Sequence, residues 1–265
     1  SGDRYGRMRT LKNALANSVN TVSARIMDMV GPKPVIDLVK KTGVTSWLPN
    51  VPSIALGTPD ISLFEMVGAY GTFVNKGIYI EPIVITRIED KNGMPLFEVV
   101  PNTTDVISQE AAHVTINLLK GVTKYGSGAR LRHAGLEKTN YVYENVVTGY
   151  PYIFDNPIAG KTGTTQNQSD GWFIGMVPNL VSGVWVGGED RSIHFEEIAY
   201  GQGATMALPI WALFMKKAYE IPELEISLGD FEEPEKLTIN IDCENLMSPK
   251  QMKPRKKTNL KELGF

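Results

Sequence analysis

Lys161-Thr162-Gly163-Thr164, followed by Thr165-Gln166-Asn167 and then Asp170-Gly171-Trp172-Phe173, is the stretch on which the reading of this chain turns. It opens a strand-like run and sets a cationic side chain, two hydroxyls and a glycine on one extended segment, a combination suited to holding an anionic carboxylate. Side chains alternate along a strand, so Lys161 and Gly163 share one face and Thr162 and Thr164 the other, unless local twist brings the hydroxyls round to the cleft. Gly163 lets a bound backbone come close. Gly160-Lys161-Thr162 also copies the end of a phosphate-binding loop. That motif requires a glycine where Asp155 stands, and Pro157-Ile158-Ala159 offers no glycine-rich nest of backbone N–H groups, so the nucleotide reading is set aside.

The second informative stretch lies far upstream, in Asn17-Ser18-Val19-Asn20. Leu11, Ala14 and Leu15 have helical spacing before it. Val22, Ile26 and Met29 or Val30 continue that spacing after it, with Gly31 and Pro32 as stop signals. Two short helices meeting at Ser18 to Asn20 present both polar side chains at a turn. A plainer role, in which Ser18 or Asn20 caps the second helix, is compatible with the same residues.

With these two motifs the sequence resembles the transpeptidase domain of class A penicillin-binding proteins, in the superfamily that also holds the serine β-lactamases. The resemblance runs in order through Asn17 to Asn20, the helix Ser62 to Asn75 ending in Lys76-Gly77-Ile78-Tyr79, Arg87 to Gly93, Ala159 to Thr165, Asp170 to Gly175 and Val184-Trp185-Val186-Gly187. It covers residues 5 to 220. It implies an α/β fold of α+β type, an antiparallel sheet flanked by helices with a helical subdomain. The family carries three motifs, Ser-x-x-Lys, Ser-x-Asn and Lys-Thr-Gly. The first is absent here: three positions after Ser18 comes Thr21, after Ser23 Ile26, after Ser127 Arg130 and after Ser248 Gln251. The expectation is therefore the C-terminal portion of a transpeptidase domain, incomplete at its N-terminal side and inactive alone.

By resemblance, the parent enzyme attacks a D-Ala-D-Ala stem with the upstream serine and passes the acyl group to an amine of a second stem. Ser18, Asn20 and Lys161 are the catalytic residues expected in this chain, with Lys161 beside Ser18 and Asn20 hydrogen-bonded to the stem. Thr162, Gly163 and Thr164 are the substrate-binding residues: the two hydroxyls take the terminal carboxylate and the Thr164 N–H serves as an oxyanion donor. The implied partners are peptidoglycan stem peptides, β-lactam antibiotics and the upstream segment of the same protein, with no cofactor, metal or nucleic acid. The implied location is the bacterial cell envelope, on the outer face of the cytoplasmic membrane, in a parent with an N-terminal anchor and a glycosyltransferase domain. A scaffold domain that kept the carboxylate pocket without the nucleophile is the alternative.

Composition agrees with an ordinary core-forming chain: 265 residues, a net charge of -2 and 42% apolar content. The longest strongly apolar stretch, Met206 to Met215, contains Pro209 and is too short to span a bilayer. His113, His133 and His194 lack metal-ligand spacing, Cys243 has no partner for an internal disulfide, and the pairs Glu196-Glu197 and Glu232-Glu233 read as solvated surface.

Residues 1–222 are assigned to the transpeptidase portion, with 1–157 mainly helical and 158–222 holding the sheet and its covering helix. Residues 223–265 form a poorly ordered extension with a basic tail. Expected elements are helices over 32–42, 62–74, 108–119 and 206–219, and a hairpin of Ile83 to Ile88 and Leu96 to Val100 around Lys91-Asn92-Gly93. Three adjacent antiparallel strands are expected at 158–165, 172–177 and 180–187. Tyr141 to Tyr152 reads either as a surface insertion or as a wall at the cleft rim.

Overall fold

The strand bearing Lys161 belongs to a three-stranded antiparallel sheet with helices against both of its faces. The computed structural model describes residues 9–132 and 152–241. Helices α1 (Leu11–Ala16), α2 (Asn20–Val30), α3 (Pro32–Lys41) and α4 (Leu63–Val74) come first. The short strands β1 (Ile78–Ile80), β2 (Arg87–Glu89), β3 (Pro95–Glu98) and β4 (Thr103–Asp105) follow. Then come helix α5 (Gln109–Tyr125), strands β5 (Ala159–Thr164), β6 (Asp170–Val177) and β7 (Leu180–Gly187), the single turn α6 (Ile198–Gly201) and helix α7 (Gly203–Tyr219).

The main sheet has the order β5-β6-β7. Lys161 pairs with Ile174 and Gly163 with Trp172, and Pro178-Asn179 turns β6 into β7. Strand alternation divides β6 between two cores. Phe173 and Val177 meet Leu208, Trp211 and Met215 of α7, whereas Met176 meets Ile116, Leu119 and Val122 of α5. With both faces covered, β6 is buried along nearly its whole length, which is why it reads as a continuous apolar run. Trp211 lies against Gly175, where an added Cβ would stand 2.3 Å from its ring. The ring also meets Phe173 edge-on at a centroid distance of 5.1 Å.

Local chemistry sets the helix ends. Ser62 and Glu65 form the expected capping box at the start of α4. Glu65 also accepts hydrogen bonds from the N–H and hydroxyl groups of Thr45 and Ser46, holding the chain beyond α3 onto α4. The Ser46 hydroxyl and these other donors keep the Glu65 carboxyl well below the usual carboxylate range. Ser108 caps α5, which runs to Tyr125 instead of ending near Leu119 because Val122 and Thr123 are fully buried against the sheet side. Burial overrides the weak helix propensity of Gly121.

The hairpin closes at Asp90, whose carboxylate accepts from the N–H groups of Asn92 and Met94, with Gly93 at φ +82°. Its strands are shorter than the apolar runs suggested, and β1 pairs with β4, a pairing the sequence reading did not include. Apolar length alone would let the run Ile198–Tyr219 cross a membrane, and it is wider than Met206 to Met215. Half of it is buried inside the molecule as the covering helix.

Within the stretch set apart as an extension, Phe231 is buried in the α5 core, Lys120 bonds Asp230, and Thr238 donates to Glu110. These contacts run along α5. His133, Cys243, the Tyr-rich stretch before Tyr152 and the basic tail lie outside the described residues, while Tyr152 itself is fully buried.

Candidate active site

Two motifs 143 residues apart meet at one hydrogen bond: Lys161 Nζ donates to Ser18 Oγ at 2.6 Å. Lys161 also donates to the Thr162 carbonyl at 2.7 Å. Burial pushes the Lys161 ammonium down from the ordinary lysine range to about 8. At neutral pH it keeps its charge, and that charge sits beside a serine hydroxyl.

Ser18 reaches Lys161 because of how α1 ends. Ser18 N–H donates to the Leu15 carbonyl and Val19 N–H to the Ala14 carbonyl, the paired bonds of a Schellman motif. Ser18 occupies the left-handed position of that motif at φ +50°, where glycine is usual. A strained serine in this place is the kind of outlier found at functional sites. Neither Ser18 nor Asn20 caps α2: its N-cap position is Val19, which makes no side-chain capping bond. Asn20 is the first residue of α2 and is exposed.

On the strand, the two threonines have different surroundings. Thr162 is buried, its hydroxyl 2.6 Å from that of Ser127. Thr164 is exposed, and its oxygen accepts from the Gly203 N–H at 3.0 Å, leaving the hydroxyl proton free to donate. Gly163 is held close to Trp172, whose Cβ would stand 3.0 Å from an added Cβ, so cross-strand packing favours a glycine here independently of any guest.

Three residues outside the expected set complete the site. Gly126 lies so close to α1 that an added Cβ would fall 2.2 Å from the Ala16 carbonyl oxygen, and the Ser127 N–H donates to that same oxygen at 2.9 Å. Gly203 similarly abuts the Gly163 carbonyl at 2.2 Å from where its Cβ would be. The Gly126-Ser127-Gly128 run reads in sequence as a helix stop. Its glycines, too close together for a stop alone to need, are the one signal that could have drawn attention to it.

The family described as Penicillin binding protein transpeptidase domain matches residues 1–189. The chain belongs to the penicillin-binding protein transpeptidase family. Penicillin-binding protein 1A of Aquifex aeolicus is 33% identical over 244 residues, which are 92% of this chain and 30% of that protein. Penicillin-binding protein 2D of Bacillus subtilis is 33% identical over 79% of this chain and 28% of its own length. The chain thus spans about a third or less of these relatives, and it carries a 1A-type transpeptidase domain.

Among solved structures, penicillin-binding protein 1A from Haemophilus influenzae superposes with a TM-score of 0.66 at 24% identity, over 82% of this chain and 35% of that one. PonA1 from Mycobacterium tuberculosis, solved in complex with penicillin V, gives 0.68 at 23% identity over 89% and 62%. These structures share the α/β transpeptidase fold expected from the sequence.

Proposed function

We propose that this chain forms the Ser-x-Asn and Lys-Thr-Gly walls of a peptidoglycan D,D-transpeptidase, a cell-envelope enzyme of the outer face of the cytoplasmic membrane that is also acylated by β-lactams. The observation that carries the reading is the Lys161–Ser18 hydrogen bond. In the reaction, the serine of a Ser-x-x-Lys segment outside these 265 residues gives its proton to the lysine of that motif and attacks the carbonyl of the penultimate D-Ala. The peptide C–N bond breaks, and the leaving D-Ala amine takes a proton. Ser18 relays that proton, with the charge of Lys161 lowering the energy of its transient alkoxide character. An amine of a second stem then attacks the serine ester, releasing the serine and closing the cross-link.

Asn20 holds the stem amide, Thr164 donates to the terminal carboxylate, and Gly163 allows the stem to lie against the strand. The Thr164 N–H is one of two oxyanion donors, a contribution of about 3 kcal/mol to the transition state.

The test uses labelled penicillin and intact mass. The chain alone forms no covalent adduct. Co-expressed with the segment that carries Ser-x-x-Lys, it supports acylation of that serine, and Lys161→Ala lowers the acylation rate by on the order of a hundredfold. Acylation that proceeds equally well with Lys161→Ala refutes the assignment. A pair that assembles without any acylation favours the scaffold reading instead.

A further inference from the structure

Thr162 was expected to offer its hydroxyl to the carboxylate, yet it is only 9% exposed and its oxygen lies 2.6 Å from Ser127 Oγ. Two hydroxyls in such a pair hold two protons. One is consumed between them, and one remains for a guest. A carboxylate accepts only, so what matters is which hydroxyl faces it. Ser127 is the more accessible of the two. Its backbone is fixed from both sides, by its own N–H on the Ala16 carbonyl and by the Gly128 N–H on the Val122 carbonyl. It therefore stands between the residue two positions before Ser18 and the residue after Lys161.

We propose that Ser127 is a ligand-binding residue of this site: its hydroxyl donates to the carboxylate of a D-alanyl-D-alanine terminus, while buried Thr162 donates into Ser127 and fixes its direction. The anion is then held by Lys161, Ser127 and Thr164, and Thr162 acts through Ser127 as a positioning residue. Donation along a chain of hydroxyls strengthens the outermost bond. The inference rests on the transpeptidase reading and names a further residue of the same pocket.

The test is an NMR titration of the 265-residue chain with N-acetyl-D-alanyl-D-alanine and with its C-terminal amide, which lacks the negative charge. Wild type binds the acid more tightly than the amide. Ser127→Ala weakens the acid by on the order of tenfold and leaves the amide unchanged, and Ser127→Thr restores the acid. Ser127→Cys keeps the volume and loses the strong donor, so it decides the matter if the alanine variant unfolds.

Ser127→Ala or Ser127→Cys binding the acid as wild type does, while Lys161→Ala binds it poorly, overturns the role of Ser127 and leaves the transpeptidase reading standing. Equal weakening of acid and amide also overturns it, because that marks a structural residue. A wild type that binds neither ligand, or does not prefer the acid, or is unaffected by Lys161→Ala, refutes the underlying reading itself.

Discussion

Lys161 to Thr164 lie on a strand held between α5 and α7, whereas Ser18 and Asn20 stand at an exposed bend between helices of 6 and 11 residues. The strand wall inherits its position from two cores, Phe173, Trp211 and Leu208 on one side and Ile116, Leu119 and Met176 on the other. The bend has few buried residues of its own, Ala14 and Ala16 in α1 and Met27 in α2. It is located by one packed face, with Ala14 and Ala16 buried and Leu15 against Ile116, Leu119 and Val122 of α5, and by point contacts: the Ala16 carbonyl against Gly126 and Ser127, and Ser18 against Lys161. One wall is placed by two cores, the other by the single packed face of α1 on α5 and a few hydrogen bonds onto the first. Damage to the two should therefore differ in kind, global for the strand wall and local for the bend.

The largest effect belongs to the core behind the strand. Trp211→Ala removes the ring that covers Gly175 and should destabilise the fold by about 3–5 kcal/mol, measured by urea unfolding. Trp211→Phe should cost far less, because the buried indole N–H has no hydrogen-bond partner among the described residues to lose. A mild alanine phenotype would mean that packing does not hold the strand wall in place.

Gly126→Ala tests the seam between the walls. Its Cβ cannot fit 2.2 Å from a backbone carbonyl, so α1 must move away from the end of α5. The expected loss is about 2 kcal/mol, with hydrogen exchange rising at Ser127 and through α1 while β6 stays protected. Exchange that rises in β6 as well would make the two walls a single cooperative unit and remove the contrast.

Thr10→Ala reaches only the bend. The Thr10 hydroxyl accepts from the Asn13 N–H at the start of α1, and losing it should cost about 1 kcal/mol, felt as fraying of α1. A shift as large as that for Gly126→Ala would show that helix integrity, not the seam, places Ser18.

The same contrast explains what could be read in the sequence. Lys161 and Ser18 were legible because each sits in a motif whose residue types state a chemistry. β6 was legible because two covered faces leave a nearly continuous apolar run, and the partly buried edge strand β7 because Leu180, Val181, Val184, Trp185 and Val186 follow the Pro178-Asn179 turn. Ser127 was not, since a serine between glycines after a helix has the composition of any stop, and its partner Thr162 is 35 residues away. The pairing of β1 with β4 was equally hidden: strands of three residues each carry too little alternation to register. The length of α5 was underestimated because the burial of Val122 and Thr123 is a tertiary fact, while Gly121 is a local one.

The central claim is that burial on the strand wall and contact with Ser18 make Lys161 a functional ammonium, not a surface lysine. Its side-chain titration, followed by NMR with selectively labelled lysine, tests this most directly. The prediction is a midpoint of about 8, against about 10.4 for a free lysine. The sign follows for stability: between those two values the unfolded chain binds more protons than the folded one, so the contribution of Lys161 to stability rises with pH across that window. A midpoint near 10.4, with no change in stability attributable to Lys161 over the same range, would contradict the account.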